Sequence, residues 1–222
     1  MDISDPILAS KITNLLGATI LTTTFLVVGY RRLRACVGAY GLHSFLLACV
    51  AAEVGFFTGF VHLYIAALLT IVIKVIIIPR VLNRIIERIN VKREVDLYVN
   101  VPSSLLISGG LAILAYFVTQ PIAGLGSLIT RNCLAVSIAV MLIGLFIMIT
   151  RVQALSQIIG LLTLENGLFL GAIATTYGMP LIVEIGVFFD VLVGVLILVV
   201  FMNRINQKFI TLDTKRMRQL RG

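Results

Sequence analysis

Residues 58–79 read TGFVHLYIAALLTIVIKVIIIP. A single charge, Lys74, interrupts the stretch, and Pro79 closes it just before Arg80. As a helix rising 1.5 Å per residue it would cover about 33 Å, enough to cross a bilayer core of roughly 30 Å. Working outward, similar apolar runs cover 7–29, 35–53, 101–120, 131–150, 153–176 and 180–202. Pro6, Pro102 and Pro180 stand at run starts, where a missing N–H does little harm. The link from Tyr177 to Pro180 turns the chain between the last two runs.

Composition agrees. Of 222 residues, 59% are hydrophobic and 13% charged, against about 45–50% and about 25% in soluble domains. The mean hydropathy of +1.09 leaves too little polar surface to coat a soluble globule. Disorder, collagen and a secreted disulfide scaffold are excluded. The sequence predicts an all-α integral membrane protein with about seven transmembrane helices. It divides into an N-terminal three-helix region, 1–100, and a C-terminal four-helix region, 101–222. Asp2 and Asp5 stand where a cleaved signal peptide would carry a basic cluster, so the first run reads as a span.

The net charge of +8 and pI near 9.8 invite a nucleic-acid reading, which the placement of the charges argues against. Arg31, Arg32 and Arg34 lie between the first two runs, and Arg80, Arg84, Arg88, Lys92 and Arg93 between the third and fourth. Arg151 separates the fifth and sixth, and six more Lys and Arg follow the seventh. The intervening connections hold none, while Lys11 and Arg131 are minor exceptions. Positive loops stay cytoplasmic, so the alternation predicts an N-terminus outside and a C-terminus in the cytoplasm. The basic segment 80–98 carries Val81, Leu82, Ile85, Ile86 and Ile89 on one face. It reads as a cytoplasmic extension of the third helix or an amphipathic helix on the headgroups, with docking of a partner subunit as a second role.

Cys36, Cys49 and Cys133 stand alone in apolar stretches and read as small hydrophobes, so no cofactor or metal site is expected in this chain. There is no phosphate-binding glycine loop, no G-x-S-x-G elbow and no H-E-x-x-H.

Charge inside the spans is more informative, because Asp, Lys or Arg at a helix centre costs about 2.5–3.5 kcal/mol on insertion scales. Glu165 and Asp190 fall near the middle of the last two runs, which a short turn makes antiparallel neighbours. Desolvation disfavours an ionised carboxyl, and acids at matched depth are the usual parts of a proton relay. Glu165 has only apolar residues one turn away, so its partner must come from elsewhere. Gly160, Gly167 and Gly171 lie on a small-residue face suited to helix packing, with Glu165 roughly 160° from Gly167. Asp190 is flanked by Gly186 and Gly194. Glu184 reads as a snorkelling residue or an outer access point, and Lys74 as a snorkelling lysine or a buried coupling cation. His43 reads as a hydrogen-bonded packing residue, and His62 as interfacial.

These residues resemble a known family. The stretch Gln157-Ile158-Ile159-Gly160, then Leu164-Glu165-Asn166-Gly167, then Val183-Glu184-Ile185-Gly186 and Asp190 resembles component E of hydrogenase-4. Lys74-Val75 before Pro79, Thr211-Leu212-Asp213 and the Leu220-Arg221-Gly222 ending fit as well. Residues 131–202 also look like subunit K of complex I, a three-helix membrane protein with one acid in each of its second and third helices. Asp190 falls where the third-helix acid is expected. The second-helix position holds Leu162, with Glu165 one turn later. The resemblance implies a non-catalytic membrane-arm subunit of a complex-I-like group 4 nickel–iron hydrogenase, an oxidoreductase complex. Its implied partners are antiporter-like and anchor membrane subunits and peripheral hydrogenase subunits. Those partners would hold the nickel–iron and iron–sulfur centres, while this chain helps move protons. A subunit of a cation/proton antiporter complex and a non-conducting scaffold are the other readings.

Overall fold

The computed structural model describes residues 6–89, 98–121 and 131–176. Its described elements are helices: α1 (Pro6–Gly29), α2 (Leu33–Thr58), α3 (Val61–Thr70), α4 (Ile78–Ile89), α5 (Val101–Thr119), α6 (Arg131–Thr150) and α7 (Ala154–Thr176). A π-helical segment, Ile71–Ile77, joins α3 to α4 without a break. The described residues therefore hold six helices long and apolar enough to cross a membrane. The expected run 180–202, with Glu184 and Asp190, lies outside the described residues.

Local chemistry sets several boundaries. Gly59 takes a left-handed conformation (φ 75°), and its N–H closes α2 on the Gly55 carbonyl. Few residues but glycine adopt that backbone readily. The helix thus passes Glu53, where the apolar run had been expected to stop, and ends at Thr58. Pro102 opens α5. α4 is a continuation of the third membrane helix rather than a separate helix on the lipid surface. Its Leu82, Ile85 and Ile86 are buried against the bundle, while Arg84 stays exposed. Glu87 on α4 meets Arg34 of α2 at 3.0 Å, on the surface.

α6 and α7 approach most closely. A Cβ built on Gly144 would stand 2.6 Å from the Leu164 nitrogen and 2.9 Å from the Gly160 carbonyl oxygen. One on Gly160 would stand 3.0 Å from the Gly144 carbonyl oxygen, and one on Gly167 2.8 Å from the Met141 nitrogen. Gly171 faces the Ser137 hydroxyl at 3.1 Å by the same measure. Backbone lies directly on backbone, the packing that small residues permit between membrane helices.

Two apolar clusters fill the bundle. One joins Val28, Leu33, Val37, Leu82, Ile147 and Leu155, at the end where the α1–α2 and α6–α7 connections meet. The other joins Ile20, Leu47, Ala51, Leu63, Val140 and Ile173. Both draw on residues before and after position 100.

Candidate functional site: a buried ion pair between two apolar clusters

Along four helices, polar residues fall between those clusters. In α1 they are Thr23 and Thr24, in α2 His43 and Ser44, from α3 into the π segment Thr70 and Lys74, and in α7 Glu165 and Asn166. All eight are buried. On each helix, residues of one cluster precede the polar positions and residues of the other follow them.

Lys74 is the centre of this layer. It lies at the middle of the π segment and is wholly buried. Its Nζ stands 2.7 Å from Glu165 Oε1 and donates to Asn166 Oδ1 at 2.9 Å. The Phe169 ring, one turn along α7, lies 5.7 Å from the same nitrogen, within the range of a cation–π contact. Asn166 passes the interaction on, its Nδ2 donating to Ser44 Oγ at 2.9 Å. That orientation of the amide follows from its neighbours, since an ammonium can only donate and so must face the oxygen. π-helical turns are rare and lie frequently at functional sites. Here they surround the one buried cation of the third membrane helix.

The partner that Glu165 lacked within its own helix is therefore Lys74. The lysine does not snorkel; its side chain turns inward. Glu165 Oε2 is buried without a hydrogen-bond partner, as are Thr70 Oγ1 and His43 Nε2. Gly160, Gly167 and Gly171 pack against α6, and Glu165 faces the π segment instead. Glu184 and Asp190 lie outside the described residues, so the paired carboxyls expected at one depth are represented here by Glu165.

Sequence reasoning gave no role to Asn166, although it stands inside the quoted Leu-Glu-Asn-Gly motif. It also missed Glu53, which α2 carries into the bundle. Both Glu53 carboxylate oxygens lie within reach of the Thr13 hydroxyl, at 2.7 and 2.8 Å. Arg151 was expected to be a loop charge. It is only 3% exposed, and its Nη2 donates to the Val28 carbonyl near the end of α1. That bond answers one of the carbonyls a helix leaves open at its C-terminus. Among the described residues no group of three or more His, Cys, Asp or Glu converges as a metal site would require, and Cys36, Cys49 and Cys133 are free.

The chain is 34% identical over 206 residues to Rv0085, an uncharacterized protein of Mycobacterium tuberculosis, covering 92% of this chain and 93% of that protein. It is 24% identical over 213 residues to hydrogenase-4 component E of Escherichia coli K12, covering 96% of this chain and 99% of that protein. Hydrogenase-4 component E of Shigella flexneri matches to the same extent. No family model matches the chain, and no solved structure does.

Proposed function

We propose, from the homology of this chain to hydrogenase-4 component E over 96% of its length, that it is a multi-pass membrane subunit of a group 4 nickel–iron hydrogenase complex. In this reading its Lys74–Glu165 pair handles protons moved across the membrane while redox chemistry proceeds in partner subunits. Antiporter-like and anchor subunits would flank it in the bilayer, and peripheral subunits would hold the nickel–iron and iron–sulfur centres. The seventh span, the N-terminus outside, the cytoplasmic C-terminus, the division near residue 100 and the cytoplasmic membrane as location belong to the same proposal.

The observation that carries it is the 2.7 Å contact between two ionisable groups sealed inside apolar spans. As ammonium and carboxylate the pair is neutral overall, and a proton passing from Nζ to Oε1 leaves amine and acid, equally neutral. Both forms suit a site of low dielectric better than any form with net charge. Passing a proton to a neighbour leaves amine and carboxylate with a net negative charge, so release from the pair must be matched by uptake of another proton. Asn166 steadies the ammonium by accepting from it, and Glu165 Oε2 remains open to further exchange. Asp190 and Glu184 are proposed as later relay and access positions.

The test is proton translocation by the assembled complex with hydrogenase turnover measured alongside. We expect Glu165→Gln and Asp190→Asn to assemble and turn over but lose translocation. Full translocation in both, with normal assembly, would leave the scaffold reading standing. A scaffold is independently favoured by the backbone contacts of Gly144 and Gly167. It requires enlargement of those glycines, rather than loss of the carboxyl, to disable the complex.

A further inference from the structure

We propose that His43 is a proton-accepting station of the same buried layer, held by Thr23 and Thr24 in the tautomer that leaves its Nε2 lone pair free. This rests on the proton-handling reading above and adds to it a residue on α2 that meets α1.

The available hydrogens set the tautomer. Thr23 Oγ1 donates to the Ile20 carbonyl at 2.7 Å, and Thr24 Oγ1 donates to the same carbonyl at 2.9 Å. Each hydroxyl has one proton, and a carbonyl can only accept. Both hydroxyl oxygens also lie near His43 Nδ1, at 3.2 and 3.3 Å. Directing both hydroxyl protons to Ile20 leaves the ring to supply the hydrogen in those contacts, an assignment that puts it on Nδ1. A neutral imidazole has a single N–H, which leaves Nε2 bare. The opposite tautomer would bury an N–H with no acceptor, because Nε2 has no partner and the residue is only 1% exposed. Buried orphan N–H groups are rarer than under-satisfied acceptors. The ring is therefore a base whose accepting atom, Nε2, has no hydrogen-bond partner.

The groups around it suit that role. Ser44, the next residue on α2, receives a hydrogen bond from Asn166, which in turn receives one from Lys74. The Tyr40 hydroxyl, one turn away on α2, is buried without a hydrogen bond of good geometry. The buried titratable groups of this region are thus Tyr40 on its own helix, Lys74 on the π segment and Glu165 on α7, while α1 contributes the two hydroxyls. A proton released by breaking the O–H bond of protonated Glu165 would form an N–H bond at Nε2, leaving carboxylate beside neutral amine and giving the imidazolium with Nδ1–H still on the threonine oxygens. Breaking that same Nε2–H bond returns the original tautomer without turning the ring. Lys74 and His43 are both buried in this layer, where like charges on the two sites oppose each other.

The threonines are positioning residues, and their effect has its own readout. In the full chain in lipid nanodiscs, nitrogen-15 magnetic resonance of labelled histidine, with His62→Asn removing the only other signal, should show a protonated Nδ1 and a bare Nε2 at neutral pH. The pair Thr23→Val and Thr24→Val removes both hydroxyl acceptors of the Nδ1–H and should move the Nδ1 signal; an unchanged Nδ1 signal overturns the positioning role. A wild-type ring found as Nε2–H, or as imidazolium throughout the neutral range, overturns the proposal. In the assembled complex, His43→Gln should keep hydrogenase turnover and lose most proton translocation; undiminished translocation overturns the station role. Should Glu165→Gln translocate normally, the function proposed for the pair fails, while the tautomer measurement still judges the geometry at His43.

Discussion

Lys74 and Glu165 stabilise each other only as a pair. Removing one partner of a buried ion pair leaves a desolvated charge and costs about 3–5 kcal/mol, whereas replacing both with apolar residues is often near neutral. We therefore expect Lys74→Met alone and Glu165→Leu alone each to destabilise the detergent-solubilised protein by that order. The double variant should recover most of the loss, as read by thermal or denaturant unfolding. Additive losses would mean that the 2.7 Å contact contributes little. The existence of both groups was legible in the chain, because a charge among Ile, Val and Leu has a cost that demands a reason. Their meeting was not legible, since it depends on how α7 packs against the third membrane helix. Asn166 escaped notice for a simpler reason: an uncharged amide raises no such alarm. Arg151 was misread because the positive-inside rule assigns a charge to a side of the membrane and says nothing about whether the side chain turns inward.

Among the elements, α6 and α7 are the most tightly joined, and the contact is made by glycines. Gly144→Ala would place a methyl group 2.6 Å from the Leu164 nitrogen and 2.8 Å from its Cα, so the helices must separate. Overpacking of this kind costs about 1–3 kcal/mol. Gly109→Ala in α5 meets nothing within 4 Å, and it should be neutral or stabilising by about 0.5–1 kcal/mol through helix propensity. Comparing the two by thermal unfolding separates packing from propensity, and an equal effect would deny the close approach. The glycine face of α7 could be read from spacing alone. The partner of that face could not, because Gly144 sits in a run with no obvious small-residue pattern. The π segment was equally hidden, since its residues, Ile71–Ile77, are ordinary helix and strand formers. Helix ends proved partly legible. Among the described residues, apolar runs located six spans, but the second run was closed too early at Glu53 and the third at Pro79, where the helix continues to Ile89. The terminator is Gly59 and its left-handed backbone, and a half-buried carboxylate held by Thr13 is tolerated before it.

For the molecule as a whole, the arginine-rich connections gather at one end of the bundle. Arg151 in the α6–α7 connection reaches the Val28 carbonyl beside the α1–α2 connection, and Arg34 there meets Glu87 on α4. At the other end the α2–α3 link, Gly59–Phe60, and the residues after α5, Gln120–Pro121, carry no Lys or Arg. Alternation of charge along the chain thus becomes separation of charge in space, which is how a membrane potential and an anionic inner leaflet orient a bundle. The consequence can be tested by thiol labelling. The native cysteines Cys36 and Cys133 are buried and Cys49 is partly so, so a cysteine-free background is the proper starting point. In intact cells, Arg32→Cys and Arg84→Cys should resist a membrane-impermeant maleimide until the membrane is opened, while Phe60→Cys and Pro121→Cys should react at once. Reversed labelling would invert the bundle and place Lys74 and Glu165 in a path of opposite polarity. Labelling of all four sites from one side would break the six-helix crossing pattern itself.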